Sequence, residues 1–179
     1  MEISLFLDGM DERHPGLTPA VAAYYAEGAC VCLSRHHTTP TYFQARADAR
    51  DYTAYIEWRP ADDSAIAAWS NSDDTTRDGA YAVSLATLEV TDGLVATHRA
   101  QTRTGADYYV APSGAGSASL EDAYRLEVSG LDKGDETAIN QRLKRKREQT
   151  RRGQCNLPAI ASIVGFRALV VRIEYVEDT

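Results

Sequence analysis

The chain has 179 residues, of which 44% are hydrophobic and 25% are charged, and its formal net charge is −7. This length leaves room for one domain with a sizeable core, and the composition is that of an ordinary soluble globular protein. No segment approaches the roughly 20 apolar residues that are needed to cross a bilayer. The first residues, Met1 to Asp8, read as a strand and not as a signal peptide, so we expect a cytoplasmic protein with no membrane partner.

The cysteines and histidines do not define a disulfide scaffold or a zinc site. Cys30, Cys32 and Cys155 are odd in number, and Cys30 and Cys32 lie two residues apart on a predicted helix, where their side chains point in different directions. We interpret all three as packing residues. His14 and the pair His36–His37 lack the spacing of zinc ligands, and we interpret them as residues of surface turns.

Hydrophobic periodicity predicts the elements of the first 72 residues. They are a strand over 3–7, a helix over 19–33, two strands over 42–45 and 53–58, and a short helix over 61–69. The first helix has a clear start, because Thr18 can cap it and Pro19 suits the first helical position.

From Thr75 onward the predicted order is helix, three strands, helix and strand. These elements are a helix over 75–88, strands over 94–100, 106–110 and 124–128, a helix over 135–151 and a strand over 166–176. The order predicts a mixed α/β (α+β) fold and not a βαβ repeat. We expect a single domain over 1–179, in which an N-terminal extension (1–72) packs on a core (75–176).

Charge is distributed unevenly along the chain. Residues 141–152 hold seven of the 19 basic residues and one acid, which leaves 12 basic residues against 25 acids elsewhere. The negative net charge argues against a general affinity for nucleic acid, but a basic helix on an acidic body can meet phosphates locally. The alternative interpretation is a solvated helix face without a partner.

Two acids lie in predicted strands that precede this basic helix. Asp107 belongs to the strand over 106–110 and Glu127 to the strand over 124–128. If these strands pair as a hairpin, both carboxylates can lie on one face near one end. Mg²⁺ takes one or two carboxylates plus waters and a substrate phosphate, and it assists hydrolysis by lowering the pKa of a bound water. The pair is therefore a candidate site for Mg²⁺ or Mn²⁺.

Helical periodicity indicates which basic residues face these acids. Ile139, Leu143, Lys146 and Thr150 form one stripe of the helix. Since the apolar members should face the sheet, Lys146 is expected to face inward, with Arg142 and Gln149 beside it. The other basic residues lie farther round the helix and are Lys144, Arg145 and Arg147. The alternative is that Lys146 lies at the edge of the stripe and extends to water.

With these motifs the chain resembles the PD-(D/E)xK nuclease superfamily over about residues 75–176. The core of that family is a helix, three antiparallel strands, a helix and a strand, which is the predicted order, so the resemblance implies a restriction-endonuclease-like fold. It also implies that Asp107 is the motif aspartate and Glu127 the second acid. Glu89 corresponds to a metal-binding acid that some members carry on the first core helix, and Gln149 to a glutamine found on the second.

The chain departs from the family motif at two positions. Ala106 precedes Asp107 where the motif has proline, and Ser129 follows Glu127 where the motif has lysine. Some members of the family carry that lysine on the following helix, and here Lys146 would substitute for it. If Lys146 does not reach the acids, the resemblance implies a non-catalytic copy of the fold.

Two functions follow from these patterns. The resemblance implies a Mg²⁺- or Mn²⁺-dependent nuclease, acting on DNA rather than RNA, in defence against foreign nucleic acid, as a homodimer or in a larger complex. Its expected nucleic-acid contacts are Arg142, Lys144, Arg145, Arg147 and Arg151. The alternative is a binding module without catalysis that docks nucleic acid or an acidic protein on the basic helix. In that case Asp107 and Glu127 would form structural ion pairs with Arg103, Arg125 or Arg142.

Overall fold

Eight strands form one mixed sheet in the residues that the computed structural model describes, which are 1–101, 105–114, 122–151 and 157–176. The strands are β1 (Glu2–Leu5), β2 (Thr41–Ala47), β3 (Arg50–Ile56), β4 (Leu94–Arg99), β5 (Tyr108–Pro112), β6 (Tyr124–Leu131), β7 (Ala159–Gly165) and β8 (Val170–Val176). Their order in the sheet is β1-β3-β2-β8-β7-β6-β5-β4. The pairs β1/β3, β2/β8 and β6/β7 are parallel, and the other neighbours are antiparallel.

Helices cover both faces of the sheet. They are α1 (Met10–Arg13), α2 (Pro19–Ser34), α3 (Asp63–Ala68), α4 (Ser72–Asp92) and α5 (Glu136–Arg151). The side chains of strand β7 show which helices lie on each face, because they point alternately to one face and to the other. Ile160 and Val164 belong to the core under α2 and α4, whereas Ala161 and Ile163 pack against Ile139 of α5. Helices α4 and α5 therefore lie on opposite faces.

The helix boundaries follow from capping residues. Thr18 accepts a hydrogen bond from the backbone N–H of Val21, as predicted for the start of α2. Helix α4 begins after Asn71, whose side chain accepts from the next turn, and ends at Gly93 in the left-handed conformation (φ 67°). Asp135 accepts from the N–H of Ala138 at 2.8 Å at the start of α5.

The predicted mixed α/β fold and most of its elements are confirmed, and the main error concerns β7. This strand was missed, and the predicted last strand over 166–176 begins only at Val170. All seven residues of Ala159–Gly165 are buried, so the segment is a short apolar run without the alternation that marks a half-exposed strand. Residues 1–72 complete the sheet, because β2 pairs with β8.

Within the described ranges, no helix is both long enough and apolar enough to cross a bilayer.

His14 is a core residue, so its assignment to a surface turn was wrong. Its side chain is 0% exposed. Nδ1 accepts a hydrogen bond from the backbone N–H of Ala96 at 3.0 Å, and therefore Nε2, which lies 3.2 Å from Oε2 of Glu89, carries the proton of the neutral ring. Burial lowers the pKa of His14 below its ordinary value of 6.5, although Glu89 opposes this shift.

His14 should make the fold less stable in acid. Because its pKa is lower in the folded chain than in the unfolded chain, the unfolded chain binds more protons as the pH falls below the ordinary value. The free energy of unfolding should then decrease by at most about 1.4 kcal/mol per pH unit from this residue. His14→Asn keeps an acceptor for Ala96 but does not titrate. Urea denaturation between pH 7.5 and pH 5 should show that the free energy of unfolding falls less steeply with decreasing pH for this variant than for the wild type. An equal pH dependence in both proteins would contradict a lowered pKa for His14.

Candidate active site

A cleft of about 520 Å³ opens along the edge of β6, between the first turns of α4 and the middle of α5. It exists because β5 is shorter than β6. Strand β5 pairs with β6 only as far as Leu126, whereas β6 continues to Leu131 in contact with β7. The side chains that line the cleft include Asp73, Thr76, Arg77, Tyr81, Asp107, Ser129, Asp132, Arg142 and Lys146.

Asp107 lies at the point where β5 separates from β6. Its backbone N–H donates to the carbonyl of Leu126 at 2.7 Å, and its Oδ2 accepts from the backbone N–H of Val128 at 2.8 Å. Its Oδ1 accepts from the hydroxyl of Tyr81 on α4, also at 2.8 Å. Asp107 therefore bonds to the residues on both sides of Glu127, and its carboxylate is held in one orientation by two donors.

Glu127 faces α5 because of strand alternation. Its neighbours Leu126 and Val128 belong to the core under α4, so the side chain between them points to the other face. There Nζ of Lys146 donates to Oε1 of Glu127 at 2.5 Å, and the glutamate is only 6% exposed. Lys146 thus faces inward, as helical periodicity predicts, and its ammonium group reaches the second acid from the helix.

The electrostatics of Glu127 reflect two opposing influences. Burial raises its pKa above the ordinary value, and the nearby charge of Asp107 raises it further. The ammonium of Lys146 and the guanidinium of Arg125 lower it, with the smaller effect. The net direction is upward because burial outweighs the effect of the two cations. The charge of Asp107 adds repulsion that a cation near both carboxylates would relieve.

The donor set fits an ion that needs few protein ligands. Among the described residues, each oxygen of Asp107 accepts a hydrogen bond, from Tyr81 or from Val128, and Lys146 donates to one oxygen of Glu127. The described parts of the chain contain no group of three or more His, Cys, Asp or Glu residues that could hold a metal. Two carboxylates, completed by water and phosphate, suit Mg²⁺ or Mn²⁺ and not a structural zinc ion.

Glu89 lies outside the cleft, which corrects its assignment as a third metal ligand. Its Oε1 accepts from Arg13 at 2.8 Å, and its Oε2 lies next to His14. It follows Tyr81 by eight residues, or about 12 Å along the axis of α4. The acid was placed on the correct helix, but the helical rise carries it away from Asp107.

Gln149, the other helix residue implied by the family, is exposed. Its side chain forms no hydrogen bond with any residue that the structure describes, whereas Lys146 of the same helix contacts Glu127.

The basic residues of α5 divide into two sets. Arg142 lines the cleft, and its Nη1 lies 3.5 Å from Oγ of Ser129. Arg145 is exposed about 60° round the helix from Arg142, while Lys144 is exposed about 160° away. Arg147 forms an ion pair with Glu174 of β8 at 2.8 Å, on the side away from the cleft. The side chain of Arg151 lies outside the described residues.

Several residues of the cleft had no signal in the sequence pattern. Asp132 follows β6, and its carboxylate accepts from His36 at 2.9 Å. Tyr81 is 2% exposed and was interpreted only as a core residue of an apolar helix. One general signal applies to it, because the hydroxyl of a buried tyrosine needs a hydrogen-bond partner, but only the tertiary structure identifies Asp107 as that partner.

Relationship to known proteins does not supply a function for this cleft. The chain matches no protein-family model, no curated protein and no solved structure. The functional assignment therefore depends on the geometry of Asp107, Glu127 and Lys146.

Proposed function

We propose that this protein is a metal-dependent nuclease that hydrolyses phosphodiester bonds of DNA in the cleft between α4 and α5. The observation that carries the proposal is the contact of 2.5 Å between Nζ of Lys146 and Glu127, beside a second carboxylate whose charge raises the pKa of that glutamate. Asp107 and Lys146 line the cleft, and the buried Glu127 contacts Lys146. Perturbed acids next to a cation at a cleft are typical of catalytic sites.

The arrangement of elements supports the same assignment. From α4 to β7 the order is helix, three antiparallel strands, helix and strand, which is the order of the PD-(D/E)xK core. Asp107 immediately precedes the second of those strands, Glu127 lies in the third, and α5 follows the third strand. Lys146 supplies the ammonium group that the family motif places at the position of Ser129.

Asp107, Glu127 and Lys146 have different roles in the proposed reaction. Asp107 and Glu127 would hold Mg²⁺ or Mn²⁺, which when bound lowers the pKa of water and neutralises charge on the phosphate. Asp107 is kept in place for this role by Tyr81 and the N–H of Val128. Lys146 orients the attacking water and stabilises the negative charge that develops on the phosphate.

Substrate binding would depend on the cations next to the cleft. Arg142 forms no ion pair with a described residue, so its guanidinium is available for a phosphate of the strand that is cut. Arg145 extends this positive surface toward solvent. Since the body of the protein is acidic, binding should be confined to this region and should weaken with added salt. Cleavage of both strands from one site per chain favours a homodimer, or a larger complex, in a role such as defence against foreign DNA.

One observation favours a second function. The contact between Lys146 and Glu127 is also what a purely structural ion pair would look like, and Arg147 already forms such a pair with Glu174. On this alternative the protein is a binding module that uses the exposed side of α5 and has no catalytic activity.

Incubation with nucleic acid in defined metal conditions tests the proposal. Plasmid DNA, short linear DNA and RNA should each be incubated with millimolar Mg²⁺ or Mn²⁺, or with EDTA. We expect DNA cleavage that requires the metal, stops with EDTA and returns when excess metal is added. Binding without cleavage under every condition would contradict the nuclease and support the binding module.

A further inference from the structure

An exposed arginine lies on a shelf of tyrosine rings next to Asp107. Arg99 ends β4, and its guanidinium carbon is 4.7 Å from the ring centre of Tyr81 and 4.8 Å from that of Tyr108. Its Nη1 donates to the hydroxyl of Tyr25 at 2.9 Å and its Nη2 to that of Tyr81 at 3.3 Å. We refer to these three tyrosines as the tyrosine shelf. It fixes a side chain that would otherwise sample many rotamers.

The tyrosine shelf connects Arg99 directly to the proposed site. Tyr81, which receives a hydrogen bond from Arg99, donates its own proton to Oδ1 of Asp107 at 2.8 Å. The backbone follows the same path, because Arg99 pairs with Tyr108 and the N–H of Ala100 donates to the carbonyl of Asp107 at 3.0 Å. The guanidinium therefore lies within two hydrogen bonds of the first acid, on the side of the site that α4 covers.

No carboxylate of the described ranges pairs with the charge of Arg99. The hydrogen-bond acceptors of Arg99 include the phenol hydroxyls of Tyr25 and Tyr81, and phenols are ordinarily uncharged at neutral pH. Among the described residues, Arg99 forms no ion pair, in contrast to Arg13 and Arg77, which each pair with an acid. Within the described residues, its guanidinium donates to Tyr25 and Tyr81 and also interacts with the hydroxyl of Tyr108, so two of its five N–H donors remain for an external anion.

We propose that Arg99 binds a backbone phosphate of the substrate strand next to the bond that is cut. This inference rests on the proposed nuclease function and adds a phosphate contact on the α4 side of Asp107, where Arg142 provides one on the α5 side. A fixed guanidinium presents parallel N–H donors to two phosphate oxygens and needs little reorganisation to do so. The ligand is the sugar–phosphate backbone, so the contact does not depend on base sequence.

Salt-dependent binding tests this proposal without any need for cleavage. A labelled oligonucleotide, as duplex or as single strand, is titrated with protein in EDTA at several salt concentrations, and its anisotropy is recorded. A plot of the logarithm of the association constant against the logarithm of the salt concentration has a negative slope. Loss of one phosphate contact should make this slope less steep by about 0.9 for a duplex and about 0.7 for a single strand. If the curves converge near 1 M salt, Arg99→Gln should bind the duplex about eightfold more weakly at 0.1 M.

Matched variants separate this proposal from the proposed function. Arg142→Gln should show a loss of similar size, whereas Arg46→Gln, at an exposed arginine of β2 outside the cleft, should bind like the wild type. If Arg142→Gln loses affinity and Arg99→Gln does not, only the role of Arg99 is overturned. If the wild type binds neither DNA nor RNA, both proposals are wrong.

A charge-conserving variant separates the loss of the positive charge from any effect on the fold. Arg99→Lys loses the paired donors to the tyrosine shelf but retains a positive charge, so it should keep the salt slope of the wild type. A purely structural role predicts that lysine and glutamine change the melting temperature without any specific change in slope. That result would overturn the proposal.

Discussion

Asp107→Asn is expected to reduce metal-dependent DNA cleavage by about a thousandfold or more, which corresponds to about 4 kcal/mol of lost transition-state stabilisation. The substitution removes a negative charge from the pair that would bind the metal. It should preserve the fold, because the amide oxygen can accept from the N–H of Val128 and the amide N–H can donate to Tyr81. Initial rates of plasmid cleavage in Mg²⁺ give the comparison.

Metal binding provides a second measurement for the same variant. Saturating Mn²⁺ at about ten times its dissociation constant should stabilise the wild type by about 1.4 kcal/mol, which raises the melting temperature by a few degrees. Asp107→Asn should lose this increase. A variant that melts like the metal-free wild type and still cleaves DNA at the wild-type rate would refute the proposed site.

Glu89→Gln is the matched control for these experiments. Glu89 is an acid on α4 that the family resemblance implies as a ligand, but it binds Arg13 and His14 outside the cleft. Its substitution should lower stability, because Arg13 loses a charged partner, and should leave cleavage and the metal-induced increase in melting temperature unchanged. Loss of metal binding in Glu89→Gln would instead place the metal near His14.

Lys146→Met should lower the cleavage rate by about 10²–10³-fold while DNA binding changes much less. Methionine has a similar length and keeps the contacts of the aliphatic stem, but it removes the ammonium that lies 2.5 Å from Glu127. If Lys146 orients water and stabilises charge in the transition state, its loss affects the chemical step and not the encounter with DNA. Single-turnover cleavage and anisotropy together separate these two effects.

The pH profile distinguishes a catalytic lysine from a structural one. Lys146 lowers the pKa of Glu127 against the larger opposing effect of burial, so its removal should raise the pKa of that glutamate further. Because the ionised carboxylate is needed to hold the metal, the acid limb of the rate profile should move to higher pH in Lys146→Met. Lys144→Met, on the same helix but facing solvent, should change the rate by no more than a few-fold. Equal effects from both lysines would contradict the role of Lys146.

Local patterns account for much of the fold. The start of α2 at Thr18 and Pro19 is encoded by adjacent residues, and the predicted bounds of α2 and α5 agree with the structure to within one residue. Helix α4 was predicted too short, because it extends from Ser72 to Asp92 and ends at Gly93. Strand β7 shows the opposite case. Its apolar run has no period of two, because both of its faces are buried, and its identity as a strand depends on β6 and β8 beside it.

The candidate site divides in the same way between local and long-range causes. Periodicity along α5 placed Lys146 on its inward side, because every fourth residue of a helix lies on one face, and alternation along β6 placed Glu127 on a defined side of a strand. The network of Asp107, Tyr81 and Arg99 has no such local basis. It joins α4, β4 and the end of β5, and Tyr81 and Asp107 are 26 residues apart in the chain.

The sequence by itself determined the mixed α/β class, the bounds of α2 and α5 to within one residue, and the choice of Asp107, Glu127 and Lys146 as candidate site residues. These depend on interactions between residues a few positions apart, which periodicity records directly. Only the tertiary structure decided that Glu89 lies outside the cleft, that Arg147 is occupied by Glu174, and that Arg99 lies beside Asp107 on the tyrosine shelf. Those facts depend on strand order and on which helix covers which face, and contacts between distant residues leave no periodic trace in a single chain.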